Sequence, residues 1–561
     1  MHSKQFTGIF SILLFLSLFA LPVSCGGGSS SGVIVLSSDK AITAFSFTAA
    51  ENPQLGADIT GTIDEADGTI LLAGPLDEDD VAGLKASFTT TGKEVSVGGV
   101  VQESAVTANS FAGPLTYRVT AADGSTRDYT VFAAYWKHPS DLADNISPDE
   151  QDAWLDVQVA MDNNGNALIV WSQSGGSHHQ IFKSEYRSGT WTHPQDVTEH
   201  ISPDGPDATD SPQVAMDNNG NALIVWHQSD GSTNLIFKSE YRSGVWTHPQ
   251  ALTEYISLDG KYAESPQLAM DDSGNALIVW EQHNGSNWQI FKSEYRSGAW
   301  TDPSAVSEGG SVIDPQVAMD DSGNALIVWS QDAGHLNQVF MSEYRGGAWT
   351  DPVNISQSEH TAECAQVVMD NNGNALIVWY QSDGDNLQTF KSEYRSGEWT
   401  HPSGLADNIS PDGQDAYVPQ VAMDASGNAL ITWDQTVDGG NLQIYKSEYR
   451  DGGWTHPAGP EDSISPDGDA YNNQVAMNAG GNAVIVWEEY DGVASRILKS
   501  EYRGGVWTPP EGLDDGISPD GQDPDFPRVA MDALGNALIV WCQDDGSRRQ
   551  IFKSEYRFWD E

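Results

Sequence analysis

The residues best suited to chemistry occur in the sequence Lys-Ser-Glu-Tyr-Arg, which combines a base, a hydroxyl and an acid. It first appears at residues 183–187 and recurs in eight copies, with Met341 replacing the lysine of the fourth. Eight equivalent catalytic centres are not expected of one chain. We therefore predict that the tyrosines pack in the interior and that the charged residues pair across neighbouring strands.

Histidines at the end of a repeated Trp-Thr-His-Pro sequence suggest metal ligation at first. Four copies carry the histidine, but Asp302, Asp351 and Pro509 stand at the same place in three others. Such easy replacement argues against a metal site. The four histidines are His193, His248, His401 and His456.

A longer repeat shows which elements position these residues. Gly-Asn-Ala-Leu-Ile-Val-Trp recurs eight times with at most one change, and successive tryptophans are 49 to 55 residues apart. A fixed period of this length indicates one supersecondary unit copied in tandem. Each unit contains four short strand patterns separated by Gly/Asn/Ser turns, which is typical of a β-propeller blade. The tryptophans are Trp171, Trp226, Trp280, Trp329, Trp379, Trp433, Trp487 and Trp541.

The last copy provides only three of its four strand patterns, ending near Arg557. A matching fourth pattern lies upstream at residues 135–139 and includes Trp136. Pairing of this segment with the last unit would remove two sheet edges at once. We predict an eight-bladed β-propeller over residues 135–561, closed by its N-terminal outer strand.

Residues 1–24 combine Lys4 with an apolar run and small residues, as in a signal peptide. Together with Cys25 they resemble a bacterial lipoprotein export signal. That resemblance implies a lipidated Cys25, a Gly/Ser tether over residues 25–33, and anchoring to the outer membrane or cell surface.

Residues 34–134 alternate apolar and polar residues between turn clusters, which indicates a small antiparallel β-sandwich. Residues 117–131 resemble the immunoglobulin-like modules of bacterial surface lipoproteins, and we expect this module to act as a spacer. The predicted fold class is all-β throughout.

Acidic residues number 80 against 27 lysines and arginines, a formal net charge of −53. Such a field repels nucleic acid and anionic membrane surfaces, so we exclude nucleic-acid partners. We expect a monomer that reaches the membrane only through its lipid.

Two enzyme families share features of the repeat. Asp217, Gly220 and Trp226 resemble the aspartate box of sialidase-like BNR repeats and the docking repeats of quinoprotein dehydrogenases. No arginine triad, tyrosine nucleophile or blade-specific constellation of acid and base accompanies them. We predict a non-enzymatic binding or scaffold protein. The alternative is a glycan hydrolase or lyase with its site at the propeller centre.

The copies differ most in the loops between their second and third strands, which we expect to bind a glycan or protein ligand. Arginines outside the repeat occur only in the last two blades and suggest a cationic patch for a carboxylate or sulfate. The predicted ligand-binding residues are His178, His179, Trp288, Arg496, Arg528, Arg548 and Arg549.

Aspartate pairs recur between blades in an Ile-Ser-Pro-Asp-Gly-x-Asp pattern. Oxygen ligands on turns suit calcium, whereas Asx turns explain the pattern without a metal. We predict no other cofactor. The candidate calcium ligands are Asp204, Asp207, Asp412, Asp415, Asp520 and Asp523.

Overall fold

The computed structural model describes residues 35–154, 156–356, 359–437, 439–466, 468–521 and 523–559. These residues form an all-β protein with three 3₁₀ helices, Leu405–Asp407, Pro460–Asp462 and Leu513–Asp515. In the described part of the chain, no helix is long and apolar enough to cross a membrane. The predicted signal peptide, Cys25 and the tether lie outside the described residues.

The N-terminal module is a two-sheet sandwich around an aromatic core that includes Phe45, Phe47 and Tyr117. One sheet has the order β2-β1-β5-β8; the other has β7-β6-β9-β10, with β4 on the second edge of β10 and β3 beyond it. The strands are β1 (Ile42–Phe47), β2 (Ile59–Thr60), β3 (Thr62–Asp64), β4 (Thr69–Asp77), β5 (Leu84–Thr90), β6 (Glu94–Val97), β7 (Val100–Val101), β8 (Ala108–Asn109), β9 (Leu115–Thr120) and β10 (Thr126–Lys137).

One strand pair of the module departs from the predicted antiparallel pattern. Strands β4 and β10 are parallel, with Thr69 opposite Thr130 and Asp77 opposite Trp136. A parallel pair needs a long crossover, and residues 78–125, which carry five other strands, provide it.

Eight four-stranded antiparallel units follow, as the repeat predicts, and the outer strand is split in blades 3 and 4. Blades 1 to 4 contain β11 (Gln158–Met161), β12 (Ala167–Ser174), β13 (His179–Arg187), β14 (Thr190–Thr192); β15 (Ala208–Met216), β16 (Ala222–Ser229), β17 (Asn234–Arg242), β18 (Val245–Thr247); β19 (Ala263–Met270), β20 (Ala276–His283), β21 (Trp288–Arg296), β22 (Ala299–Trp300), β23 (Ser304–Ala305); and β24 (Val312–Met319), β25 (Ala325–Asp332), β26 (Asn337–Arg345), β27 (Ala348–Trp349), β28 (Val353–Asn354). Blades 5 to 8 contain β29 (Ala362–Met369), β30 (Ala375–Ser382), β31 (Leu387–Arg395), β32 (Glu398–Thr400); β33 (Ala416–Met423), β34 (Ala429–Thr436), β35 (Leu442–Arg450), β36 (Gly453–Thr455); β37 (Asp469–Met477), β38 (Ala483–Tyr490), β39 (Ser495–Arg503), β40 (Val506–Thr508); and β41 (Pro524–Met531), β42 (Ala537–Asp544), β43 (Arg549–Phe558).

The second strand of each blade is buried on both faces, which explains its unbroken apolar run. Its tryptophan is fully buried in all eight blades; Trp226, for example, lies opposite Phe237 of the third strand. The turn before it is held by Asp217, whose Oδ1 accepts the backbone N–H groups of Asn219 and Asn221. The resemblance to aspartate-box repeats therefore reflects a structural turn.

The Lys-Ser-Glu-Tyr-Arg sequence joins each blade to the next. The carboxylate of Glu185 pairs with Lys183 and Arg187 of its own strand and accepts the indole N–H of Trp246 from blade 2 at 3.1 Å. The Arg187 guanidinium lies 3.9 Å from the ring centre of Tyr241 in the same neighbouring blade. These charged residues serve as an interblade latch, which is a structural role as predicted. The ion pairs themselves form within one strand and not across neighbouring strands, so that part of the prediction is wrong.

The ring closes through β10, as predicted. Tyr135 and Trp136 pair with Arg557 and Tyr556 of β43, so β10 is the fourth strand of blade 8. The Trp136 indole N–H reaches Glu501 of blade 7 at 3.1 Å. Blade 8 then contacts blade 1 through the same latch, in which Glu555 accepts the indole N–H of Trp191 at 2.9 Å.

The module is packed directly against blades 7 and 8. Strand β10 belongs to both sheets, so the boundary predicted between residues 134 and 135 falls inside one strand. The Tyr556 hydroxyl donates to the carbonyl of Gly74 at 2.8 Å, and Lys499 lies 3.6 Å from Asp77. Burial raises the pKa of Asp77, but Lys499 and His138 outweigh it and hold that pKa below its usual value.

We predict that Trp136→Ala destabilises the protein more than Trp246→Ala. Trp136 is completely buried because the module covers it, whereas Trp246 is partly exposed. Loss of a buried tryptophan costs about 3–5 kcal/mol, and the substitution also removes the indole donor from buried Glu501. Urea unfolding measures both variants, and equal midpoints would contradict the closure role of Trp136.

Candidate functional site at the channel rim

The first strand of each blade lies innermost, and each inner strand contacts the inner strand of the next blade. Strands β41 and β11 also contact each other, so the inner strands surround a central channel. Gln158, Val159, Ala160 and Met161 of β11 are all partly exposed. We attribute the exposure of residues in the middle of an innermost strand to the solvent of this channel.

Inner strands from blade 3 to blade 8 contain a β-bulge opposite the buried tryptophan. In blade 3, Glu264 pairs with Glu281 and Gln267 with Val279, so two residues, Ser265 and Pro266, lie opposite Trp280. Ser265 has a φ of 51°, and its five counterparts have φ between 45° and 59°. Left-handed backbone is costly for residues other than glycine and is found preferentially at functional sites. The counterparts are Asp314, Cys364, Val418, Asn472 and Phe526.

The bulges set a ring of positions that differ from blade to blade within otherwise repeated strands. We define the rim as the bulge residues, the residue before each bulge, and the residue after each buried tryptophan. The residues before the bulge, with Trp154 at the equivalent place in blade 1, are Trp154, Glu264, Ile313, Glu363, Tyr417, Tyr471 and Asp525. The residues after the tryptophan are Ser172, His227, Glu281, Ser330, Tyr380, Asp434, Glu488 and Cys542.

Blades 3 to 5 place three carboxylates near each other on the rim. Oε1 of Glu281 accepts the backbone N–H of Asp314 at 2.9 Å, and the Tyr380 hydroxyl donates to Glu363 at 3.1 Å. Burial raises the pKa of Glu281 to about 7. Burial and the carboxylate of Glu363 raise the pKa of Asp314. A proton is therefore retained here at pH values where carboxyl groups in water have lost theirs.

Blades 6 and 7 bury two further carboxylates. Asp434 accepts the side-chain N–H of Asn473 at 2.5 Å, and Glu488 accepts the Tyr471 hydroxyl at 2.8 Å. Burial raises the pKa of Asp434 and that of Glu488 to about 7 each.

Blades 8 and 1 complete the rim with a cation and an exposed aromatic ring. Arg549 pairs with Asp525 at 2.5 Å. The Trp154 side chain is 41% exposed, and its ring centre lies 4.6 Å from that of His179. An exposed indole among carboxylates, amides and hydroxyls offers both a stacking surface and directional hydrogen bonds.

The structure divides the predicted ligand-binding residues into two groups. His179 and Arg549 adjoin the rim, and Arg528 is not a loop residue but lies on inner strand β41. The other four border the face formed by the interblade loops and the loops between second and third strands, which we call the loop face; Trp288 and Arg496 do so from the first residues of strands β21 and β39. They are His178, Trp288, Arg496 and Arg548.

On the loop face these four residues already have protein partners. His178 lies 3.5 Å from Asp207, Arg496 pairs with Asp520, and Arg548 donates to the Asp149 carbonyl at 2.7 Å. Trp288 is partly buried against the core of blades 3 and 4. The arginines thus bind separate acceptors and form no shared patch among the described residues.

The candidate calcium ligands also have other roles. Asp207 and Asp415 accept the backbone N–H groups of His179 and Leu387 at 2.8 and 2.7 Å. Asp412 accepts the Asn408 side chain, while Asp204 is largely exposed beside His200. Asp520 pairs with Arg496, and Asp523 is exposed. In the described part of the chain, no three acidic, histidine or cysteine residues group as metal ligands.

A protein-family model matches the N-terminal module of this chain. Residues 42–133 match a family model described as "SGBP, N-terminal", the N-terminal domain of surface glycan-binding proteins. This match covers the module and does not extend into the blades. No protein of curated function matches the chain in sequence.

Solved structures share the β architecture at low identity. A protein of unknown function from Dyadobacter fermentans DSM 18053 is 13% identical with a TM-score of 0.34, covering 54% of this chain and 96% of its own. Hadza microbial sialidase Hz136 is 12% identical with a TM-score of 0.32, covering 75% and 99%. Polysaccharide lyase Uly1 is 10% identical with a TM-score of 0.41, covering 66% and 93%. Scores this low carry no argument about function.

We predict that the rim carboxyls make stability depend on pH. Their pKa values are near 7 in the folded protein and lower when unfolded, so only the unfolded state loses these protons as pH rises from about 5 to about 7. The native state therefore loses stability over this range, on the order of 1 kcal/mol or more per carboxyl.

A triple variant, Glu281→Gln, Asp434→Asn and Glu488→Gln, isolates this effect. Burial lowers the pKa of histidines such as His193 and His248, which acts in the opposite direction but equally in both proteins. The difference in unfolding free energy between wild type and variant should change in favour of the variant from pH 5 to 8. Parallel pH profiles would contradict the raised pKa values.

Proposed function

We propose that the protein is a non-enzymatic, surface-tethered glycan-binding protein whose rim and loop face hold the ligand. The observation that carries this proposal is the exposed indole of Trp154 on a rim of carboxylates, amides and hydroxyls. Sugar rings stack on aromatic faces, and their hydroxyl groups need directional polar partners. The match of the module to the N-terminal domain of surface glycan-binding proteins supports the same ligand class.

The two groups of predicted residues take different parts in this proposal. His179 and Arg549 adjoin Trp154 and Asp525, so they would contact the sugar held at the rim. A longer glycan, or a protein that carries it, would extend outward over Trp288 and Arg548. His178 and Arg496 border the same loop face. Variable loops on a rigid ring are suited to such contacts.

The proposed location of the protein rests on its N-terminal segment. We propose that Cys25 is lipidated after removal of residues 1–24 and that residues 25–33 tether a monomer to the outer membrane. Two or more acyl chains are needed for stable anchoring, as the lipoprotein resemblance implies. The module then lies between this tether and the ring.

A glycan hydrolase or lyase is the second candidate, and one observation favours it. Glu281, Asp434 and Glu488 keep protons near neutral pH, as the general acids of glycan-cleaving enzymes do. Each of these groups is buried and has a protein hydrogen-bond partner, so none presents a free acid to the channel. This burial makes binding the favoured function.

We predict that purified protein binds glycans on an array and that Trp154→Ala weakens the best hit roughly tenfold or more, as for a central aromatic contact. Trp288→Ala is the matched control and should cost less, because that indole is partly buried against the core of blades 3 and 4. Chromatography of the glycan after incubation should show no cleavage. Absence of any hit, or equal effects of both variants, would contradict the proposal, and cleavage products would favour the enzyme.

A second prediction concerns the anchor. In a bacterium with outer-membrane lipoproteins, the wild-type chain should incorporate labelled fatty acid and fractionate with membranes. Cys25→Ser should abolish both, since the remaining cysteines, Cys364 and Cys542, lie in the folded ring. A Cys542→Ser variant serves as control and should label normally. Membrane association without label would contradict lipid anchoring.

A further inference from the structure

A second ring of polar residues lies in the channel, two positions past each bulge. In every blade this residue pairs with the second-strand residue directly before the buried tryptophan, as Gln267 does with Val279. Seven blades carry glutamine and blade 8 carries Arg528. We call this ring the girdle; it consists of Gln158, Gln213, Gln267, Gln316, Gln366, Gln420, Gln474 and Arg528.

The girdle carboxamides face the solvent of the channel. All seven glutamines are partly exposed on innermost strands. Among the described residues, none of their side-chain amides has a hydrogen-bond partner in the protein, unlike the buried glutamines of the second strands, such as Gln228. Seven amides therefore offer donors and acceptors at one level of the channel without any charge.

Arg528 adds one charged donor to this ring. Its Nη1 donates to the carbonyl of Pro527 at 3.0 Å, which uses one of its five N–H groups. Burial lowers the pKa of Arg528, whereas Asp156 of blade 1 raises it. An arginine in this setting stays protonated, so the girdle has one fixed cationic point.

Acidic residues lie at both ends of the channel, on the rim and at the turns between the first and second strands of blades 3 and 4. The rim above the girdle contains Glu264, Asp314 and Glu363. At the opposite end, Asp272 donates its backbone N–H to Asp321 at 3.3 Å, and burial together with Asp272 raises the pKa of Asp321. The whole protein adds a net charge of −53. Sulfated or uronic-acid glycans are repelled at either entrance, and the guanidinium disfavours a cation at the girdle.

We infer that the girdle binds the end of a neutral glycan chain that enters the channel past the rim, an inference that rests on the proposed function. Unpartnered carboxamides match sugar hydroxyl groups, which both donate and accept hydrogen bonds. Arg528 fixes the chain end to one side of an otherwise uniform ring. The ligand class is therefore uncharged oligosaccharides, and the channel is the site that distinguishes them from anionic ones.

Calorimetry with neutral gluco-, manno- and xylo-oligosaccharides, and with oligogalacturonates and sulfated oligosaccharides of equal length, tests this inference. Arg528→Gln gives blade 8 the residue of its seven copies, and Gln158→Leu with Gln474→Leu removes the two neighbouring amides. Each variant should lower the affinity for the neutral ligand roughly tenfold or more, because charged or buried partners lose their hydrogen bonds. Gln195→Leu, an exposed glutamine on the outside of the ring, is the matched control and should bind as wild type.

The possible outcomes distinguish a failure of the channel site from a failure of the glycan-binding proposal. Neutral binding that survives both girdle variants but is lost in Trp154→Ala overturns the channel site and leaves the glycan-binding proposal standing. If the anionic oligosaccharides bind more tightly than the neutral ones, the proposed class of uncharged ligands is wrong. A wild-type protein that binds none of these glycans overturns both. Urea unfolding verifies the fold of each variant, and Arg528→Gln alone decides the result if the double variant does not fold.

Discussion

A carboxylate shared between two blades holds this ring together. Glu185 and its counterparts neutralise an arginine and, except in blade 4, a lysine of their own strand while accepting an indole N–H from the next blade. Breaking such a buried ionic group by removing one partner is costly, because the remaining charges keep their desolvation penalty. The same latch joins blade 7 to Trp136 and blade 8 to Trp191, so closure uses the interaction that joins every other pair of blades.

The latch also excludes its own residues as candidates for a ligand site. Its lysines, arginines and tyrosines are the most chemically capable residues of the repeat, and contacts between blades occupy them. The residues left for a ligand are those that the repeat does not specify. They lie at the bulges, where Ser265, Asp314 and Val418 take a left-handed backbone beside identical tryptophans. The scaffold tryptophans and the candidate site thus lie opposite each other on neighbouring strands of one blade.

The periodicity of the sequence predicts much of this architecture. The spacing of the tryptophans indicates eight blades, and the upstream copy of the fourth strand identifies Trp136 as the closing element. The sequence is less informative about the candidate site, because the most variable segments are loops whereas the rim residues vary inside the strands. Glu281, Asp434 and Glu488 directly follow a repeated tryptophan, so comparing copies at that position would have revealed the rim. The bulge, which lies on the first strand opposite the buried tryptophan, leaves no simple signal in hydrophobic alternation.

The shared strand β10 has a consequence for the order in which the chain folds. Synthesis from the N-terminus produces Trp136 long before Tyr556, its partner in blade 8. Until then one edge of β10 is unpaired, and an unpaired edge can form hydrogen bonds with another chain and cause aggregation. Strand β4 pairs with the opposite edge as far as Trp136, which lies beside Asp77. The module can therefore protect the first-made strand of blade 8 while the other seven blades assemble, and because the partners are so distant in sequence we expect the final closure to be slow.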